Sequence, residues 1–186
     1  MTTLYIFDRS PMKTKVYTFS MSVFVQTTPS PIPKTKDVRR MATFYAVILV
    51  VMAVAQLFTF DDFLKLVTDF GFPGGQRAGY FLASFLVTVE VFAIPFLLRM
   101  PLSPAFRWLS ILCGWLVAVI WAKITIWLVI KDGIVSNIGF LGTAIQVMPG
   151  VWAVFMSIVF AILAAWATWG MWPGLKGSKR VKKHWR

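Results

Sequence analysis

The chain has 186 residues, about one domain. Hydrophobic residues make up 58% of it and charged residues 14%, with a mean hydropathy of +0.73; this excludes an ordinary soluble globule, whose small core could not hide so much apolar surface. The formal net charge of +12 does not point to nucleic acid, because the basic residues crowd into the first 40 and last 11 positions, outside the apolar runs.

Residues 1–40 are rich in Ser, Thr and Pro, as in Thr27-Thr28-Pro29-Ser30-Pro31-Ile32-Pro33, and read as a disordered basic leader. Lys13 and Lys15 followed by Val16 to Val25 look faintly like a signal peptide. That apolar part is short, is broken by Thr18, Ser20 and Ser22, and is followed by no A-x-A cleavage site. Met41 is an alternative start, which would leave the leader outside the mature protein.

A membrane helix needs about 20 apolar residues, and four runs qualify. They are residues 41–60 and 151–172, which carry no charge, 78–98, with one glutamate, and 108–130, with one lysine. None of them alternates polar with apolar residues, so they are helices rather than barrel strands. Helices also satisfy every backbone group within one segment. The predicted fold is an all-α integral membrane domain over 41–172, a four-helix bundle, followed by a basic cytoplasmic tail over 173–186.

After the first span, Phe63, Leu66, Val67 and Phe70 recur at helical spacing. They predict a short helix lying in the outer interface, with Thr59 as its cap, Gly71 and Pro73 as its end, and Asp61 pairing with Lys65 one turn on. The second outer loop, Asp132 to Gly150, is apolar enough to compete as a fifth span. Its four glycines and its proline favour a loop packed over the mouth of the bundle.

Orientation follows from charge. The segments before the first span, between the second and third, and after the fourth share one side and hold 15 of the 19 basic residues. The other side holds Lys65, Arg77 and Lys131 with Asp61, Asp62, Asp69 and Asp132. An even number of spans with this split places both termini in the cytoplasm. Trp108, Trp169 and Trp172 fall at the inner ends of spans and Trp152 at an outer end, where indoles anchor.

Two charges lie within the spans, Glu90 in the second and Lys123 in the third. A charge at that depth costs several kcal/mol, so both should face the bundle interior and find partners. Counted along its own helix, Glu90 is roughly 18 Å below the outer edge and Lys123 roughly 10 Å below. Lys123 has three routes: to Glu90, outward along its own stem, or to Asp61 or Asp62. Glu90 is either a proton or ligand site or a packing residue held neutral or paired. Gln56 and Thr59 extend the candidate polar pocket. Pro95 removes a helix hydrogen bond and frees a carbonyl near Val91. Trp115, Trp127 and Trp166 are candidates to stack a flat ligand or to pack. The single cysteine, Cys113, and the single histidine, His184, offer neither a disulfide nor a readable metal site.

The stretches Ala55-Gln56-Leu57-Phe58-Thr59-Phe60-Asp61-Asp62-Phe63, Gly71-Phe72-Pro73 and Leu86-Val87-Thr88-Val89-Glu90-Val91 resemble the DoxX-like superfamily, which includes the MauE type of redox-associated membrane proteins. Asn137-Ile138-Gly139-Phe140-Leu141-Gly142 is similar to the outer loop of that group. The resemblance implies a four-helix bundle in a prokaryotic plasma membrane, serving a redox system. The protein would bind quinone or another amphiphile, or dock an extracytoplasmic redox protein; no other cofactor is evident. Glu90, Lys123, Gln56, Asp61 and Asp62 are the candidate ligand or proton-site residues. Beside this reading stand a small proton-coupled transporter subunit, which would need to be a homo-oligomer, and a purely structural membrane subunit. Whether the chain is an enzyme is left open by its residues.

Overall fold

A computed structural model describes residues 29–30, 32–131 and 135–172. The faint signal-like stretch of the leader and the basic tail lie outside these residues. Five helices follow in order: α1 Lys36–Phe58, α2 Phe60–Asp69, α3 Gly75–Leu97, α4 Pro104–Lys131 and α5 Val151–Gly170. Four of them, α1, α3, α4 and α5, are long and apolar enough to cross a membrane. They pack in a ring, α1 against α3, α3 against α4, α4 against α5 and α5 back against α1, while α2 lies mainly on α3.

Each long helix buries one stripe. On α1 the stripe is Ala42, Tyr45, Ala46, Leu49, Met52, Ala53 and Gln56; on α4 it includes Gly114, Val117, Ala118, Trp121, Thr125 and Leu128. The spacing of three and four residues is that of a helix face. Small residues recur where backbones come close, as expected when packing rather than water exclusion joins the helices. The opposite faces expose Phe44, Val47, Val51, Leu116, Val119, Phe155, Ile158 and Ile162. Water would penalise such a continuous apolar girdle, whereas acyl chains match it. The chain is a multi-pass membrane protein.

The first span starts earlier than its hydropathy suggested. The predicted leader ran to residue 40, but α1 begins at Lys36. The side chain of Thr35 caps it by accepting the Val38 N–H at 3.2 Å. Val38 is buried against Gly170 of α5, at a site where even a Cβ on the glycine would collide with it. The charges of Lys36, Asp37, Arg39 and Arg40 mask this helical turn from a hydropathy reading. A chain starting at Met41 would lack both the cap and this contact.

The α2 helix forms as expected and buries Phe63 and Val67, with Phe70 just beyond its end. Two local details differ. Lys65 pairs with Asp62 at 3.1 Å rather than with Asp61, and the Asp62 carboxylate, with Asp61 beside it, holds the Lys65 ammonium above its ordinary value. Thr59 occupies the cap position without capping. Its hydroxyl donates back to Ala55 O at 3.1 Å and accepts the Thr143 N–H at 3.1 Å, binding the far loop instead.

Pro95 lies inside α3, and the repair of the helix comes from α4. The hydroxyl of Ser110 accepts the Phe96 N–H at 3.1 Å and donates to Phe92 O at 2.6 Å, so it bonds two backbone groups of the turn that holds the proline. The carbonyl it satisfies is one position beyond the expected Val91. Ser110→Ala would remove both bonds and should cost about 1–3 kcal/mol. Denaturant unfolding in mild detergent would read the loss, and an unchanged midpoint would show that the hydroxyl is not needed.

The segment between α4 and α5 is not a fifth span. Its described part, residues 135–150, forms turns that fold over one mouth of the ring. Asn137 organises it: the side-chain oxygen accepts from Gly139 N at 3.1 Å and Val147 N at 3.0 Å, and the amide donates to Gly142 O at 3.1 Å. Trp108 meets Trp172 edge-on at 5.0 Å, so the start of α4 and the end of α5 share the opposite, basic face.

Candidate functional site

Beneath that loop lies a polar centre built from three helices and one loop residue. Glu90 of α3, Gln56 of α1 and Trp121 of α4 are each fully buried and sit on the buried stripes of their helices. Trp121 Nε1–H donates to Glu90 Oε1 at 3.0 Å, and Gln56 Nε2–H donates to the same oxygen at 3.3 Å. The second Nε2 proton of Gln56 reaches Phe140 O at 3.1 Å. Phe140 closes the centre. Its ring lies 4.4 Å from that of Trp121 and 5.6 Å from that of Phe160 on α5.

One side of this arrangement is incomplete. Glu90 Oε2 and Gln56 Oε1 are buried and have no hydrogen-bond partner. Gln56 Oε1 is an acceptor, Glu90 Oε2 accepts when the carboxyl is ionised and donates when it is protonated, and buried polar atoms are rarely left unpaired. Both donors to the carboxyl are neutral N–H groups. Among the described residues the one ion pair is Lys65 with Asp62, so no cation compensates Glu90.

The first of the three routes open to Lys123, pairing with Glu90, is therefore not taken. Lys123 is exposed on α4, off the stripe that carries Trp121. Two residues separate them, which is about 200° around a helix. Lys123 is not bonded to Asp61 or Asp62 either; both lie exposed on α2, where Asp62 pairs with Lys65. What remains for Lys123 is the outward route along its own stem. Of the five candidate residues, the fold brings together Glu90 and Gln56 and leaves Lys123, Asp61 and Asp62 outside.

Of the two readings of Trp115, Trp127 and Trp166, the arrangement is that of packing and anchoring rather than a shared platform. Trp115 Nε1–H donates to Thr168 Oγ1 at 3.1 Å, Trp127 Nε1–H donates to Phe70 O at 2.9 Å while its ring stacks on Phe72, and Trp166 is exposed. Trp121 is the indole that matters to the carboxyl, and it was absent from the candidates. Its position on the Gly114, Ala118, Trp121, Thr125 stripe was the available signal. Phe140 had no local signal, because its role depends on a carbonyl brought in by a loop.

Comparison of the chain with protein-family models, with curated proteins and with solved structures finds no match.

Proposed function

We propose that this chain is a plasma-membrane accessory of a redox system, of the DoxX-like kind that includes MauE-type proteins, and that the Glu90 centre receives the hydroxyl end of a quinol or a similar amphiphile. The observation that carries the reading is the pair of unpartnered oxygens, Glu90 Oε2 and Gln56 Oε1. Unpartnered polar atoms in a dry interior call for a hydrogen-bonding partner. A hydroquinone brings O–H donors on a flat ring, and Trp121 and Phe140 offer it aromatic faces. An oxidised quinone brings only carbonyl acceptors, which suit the carboxyl when it is protonated and leave Gln56 Oε1 without a donor. Since both oxygens are closed off, entry requires the 135–147 segment to lift. The partition of basic residues supports a prokaryotic orientation with both termini cytoplasmic, which puts this mouth outside.

The test is a titration of the full chain in nanodiscs with a short-chain quinol under reducing conditions. Saturable binding is expected, weakened about tenfold or more by Glu90→Gln, which corresponds to about 1.4 kcal/mol, and unchanged by Lys123→Met. Absence of saturable binding by the wild-type chain defeats the ligand reading. An equal loss with Lys123→Met would show that the site has been placed on the wrong face of α4.

A further inference from the structure

The first turns of α1 carry Lys36, Arg39 and Arg40 against a single acid, Asp37. Cations are poorly placed there. The free N–H groups already make a helix start electropositive, and each added cation costs a few tenths of a kcal/mol or more. None of the three is in an ion pair, and all three are exposed. With Thr43 and Phe44 they line an open depression of about 620 Å³. Three unpaired cations around one hollow, at the helix end that disfavours them, form a place where an anion from outside the chain would be favourable.

The surface leading away from the hollow narrows the choice. From Arg40 the same face of α1 continues through Phe44, Val47, Val51, Val54 and Phe58, at steps of three and four residues. All five apolar side chains are exposed, each by more than half. The charged hollow thus opens directly onto an apolar track running the length of the span. A free phosphate would use the hollow and ignore the track, whereas a diacyl lipid would use both.

We infer that this hollow is a binding site for an anionic phospholipid of the leaflet on the basic face. The phosphate would be held by Lys36, Arg39 and Arg40, and one acyl chain would lie along the α1 track. The guanidinium groups can take phosphate oxygens in pairs, and the lysine supplies a third contact. The inference is independent of the quinol reading, because the hollow and the Glu90 centre share no residue.

The experiment is native mass spectrometry of the full chain in detergent, with phosphatidylglycerol or phosphatidylcholine added at equal concentration. Preferential retention of one phosphatidylglycerol is expected, with at least a fivefold loss in the triple variant Lys36→Gln, Arg39→Gln, Arg40→Gln. Inorganic phosphate at millimolar concentration should not displace the lipid. A second variant, Val47→Ser with Val51→Ser, keeps every charge and should also weaken retention. Equal retention of the two lipids, or a triple variant that binds as the wild type does, would overturn the site. Displacement by inorganic phosphate, with the serine variant unaffected, would overturn the lipid and leave a simple anion site. A thermal melt of each variant checks folding, and the Lys36→Arg variant should retain lipid as the wild type does.

Discussion

Replacing Glu90 by leucine should cost the bundle about 2–4 kcal/mol, whereas replacing it by glutamine should leave the bundle at least as stable as the wild type. Leucine removes the acceptor shared by Trp121 Nε1–H and Gln56 Nε2–H. The indole N–H is then buried without a partner, at about 1–3 kcal/mol, while Gln56 keeps only its bond to Phe140 O. Glutamine retains an acceptor for the indole and adds an amide donor. With the two planar ends already in contact through Gln56 Nε2, that donor can serve Gln56 Oε1, now unpartnered. A neutral amide also removes any cost of burying a carboxylate without a cation. A gain of up to about 2 kcal/mol is expected, together with the loss of ligand binding. Such opposed effects are the usual mark of a residue kept for function at the expense of stability. Unfolding by denaturant titration in mixed micelles gives the order directly. If leucine proves as stable as glutamate, the polar centre is not holding α1, α3 and α4 together.

The second large effect is expected at Gly142, which joins the loop to the bundle. It has a φ of +60°, and a Cβ there would collide with Thr59 Oγ1 and come within 2.9 Å of Ala55 O and 3.1 Å of Gln56 Cα. Two of these three neighbours are backbone atoms of α1 and cannot swing away. Gly142→Ala therefore has to push the loop outward, at a cost of about 2–3 kcal/mol from backbone strain and lost bonds. The same movement breaks Thr143 N–H to Thr59 Oγ1 and strains Gln56 to Phe140 O, so the Glu90 centre opens. Hydrogen exchange of the 135–147 backbone should accelerate at least tenfold, and a bulky quinol should enter faster. Unchanged exchange in Gly142→Ala would mean that the loop does not depend on this close approach. Gly139, with a φ of +84°, shares the backbone strain, but the atoms nearest a Cβ there belong to the side chains of Leu66 and Phe63.

How far the residues alone led can be judged position by position. Four lipid-crossing helices, a short amphipathic helix after the first and a loop over the mouth were all legible, because each is a property of a contiguous run. Hydropathy and the 3.6-residue period act within a single segment, and the cost of unpaired backbone in lipid leaves few alternatives. Glu90 stood out for the same reason, as a lone carboxyl in an apolar run. Gln56 was in view as a polar residue near a helix end.

The partners of Glu90 were decided by tertiary structure. Counting along helices gave plausible depths for Glu90 and Lys123 but said nothing about azimuth across helices. Trp121 faces inward and Lys123 outward because the small residues of α4, Gly114 and Ala118, select the side that packs closely. The carbonyl of Phe140 reaches Gln56 only because Asn137 folds a loop that returns to the end of α1. The helical turn at Lys36–Arg40 was hidden by its own charges and becomes visible through the Thr35 cap and the fit of Val38 on Gly170. Periodicity identifies which residues can be buried; the rotation of each helix about its axis, fixed by close packing against its neighbours, determines which of them meet.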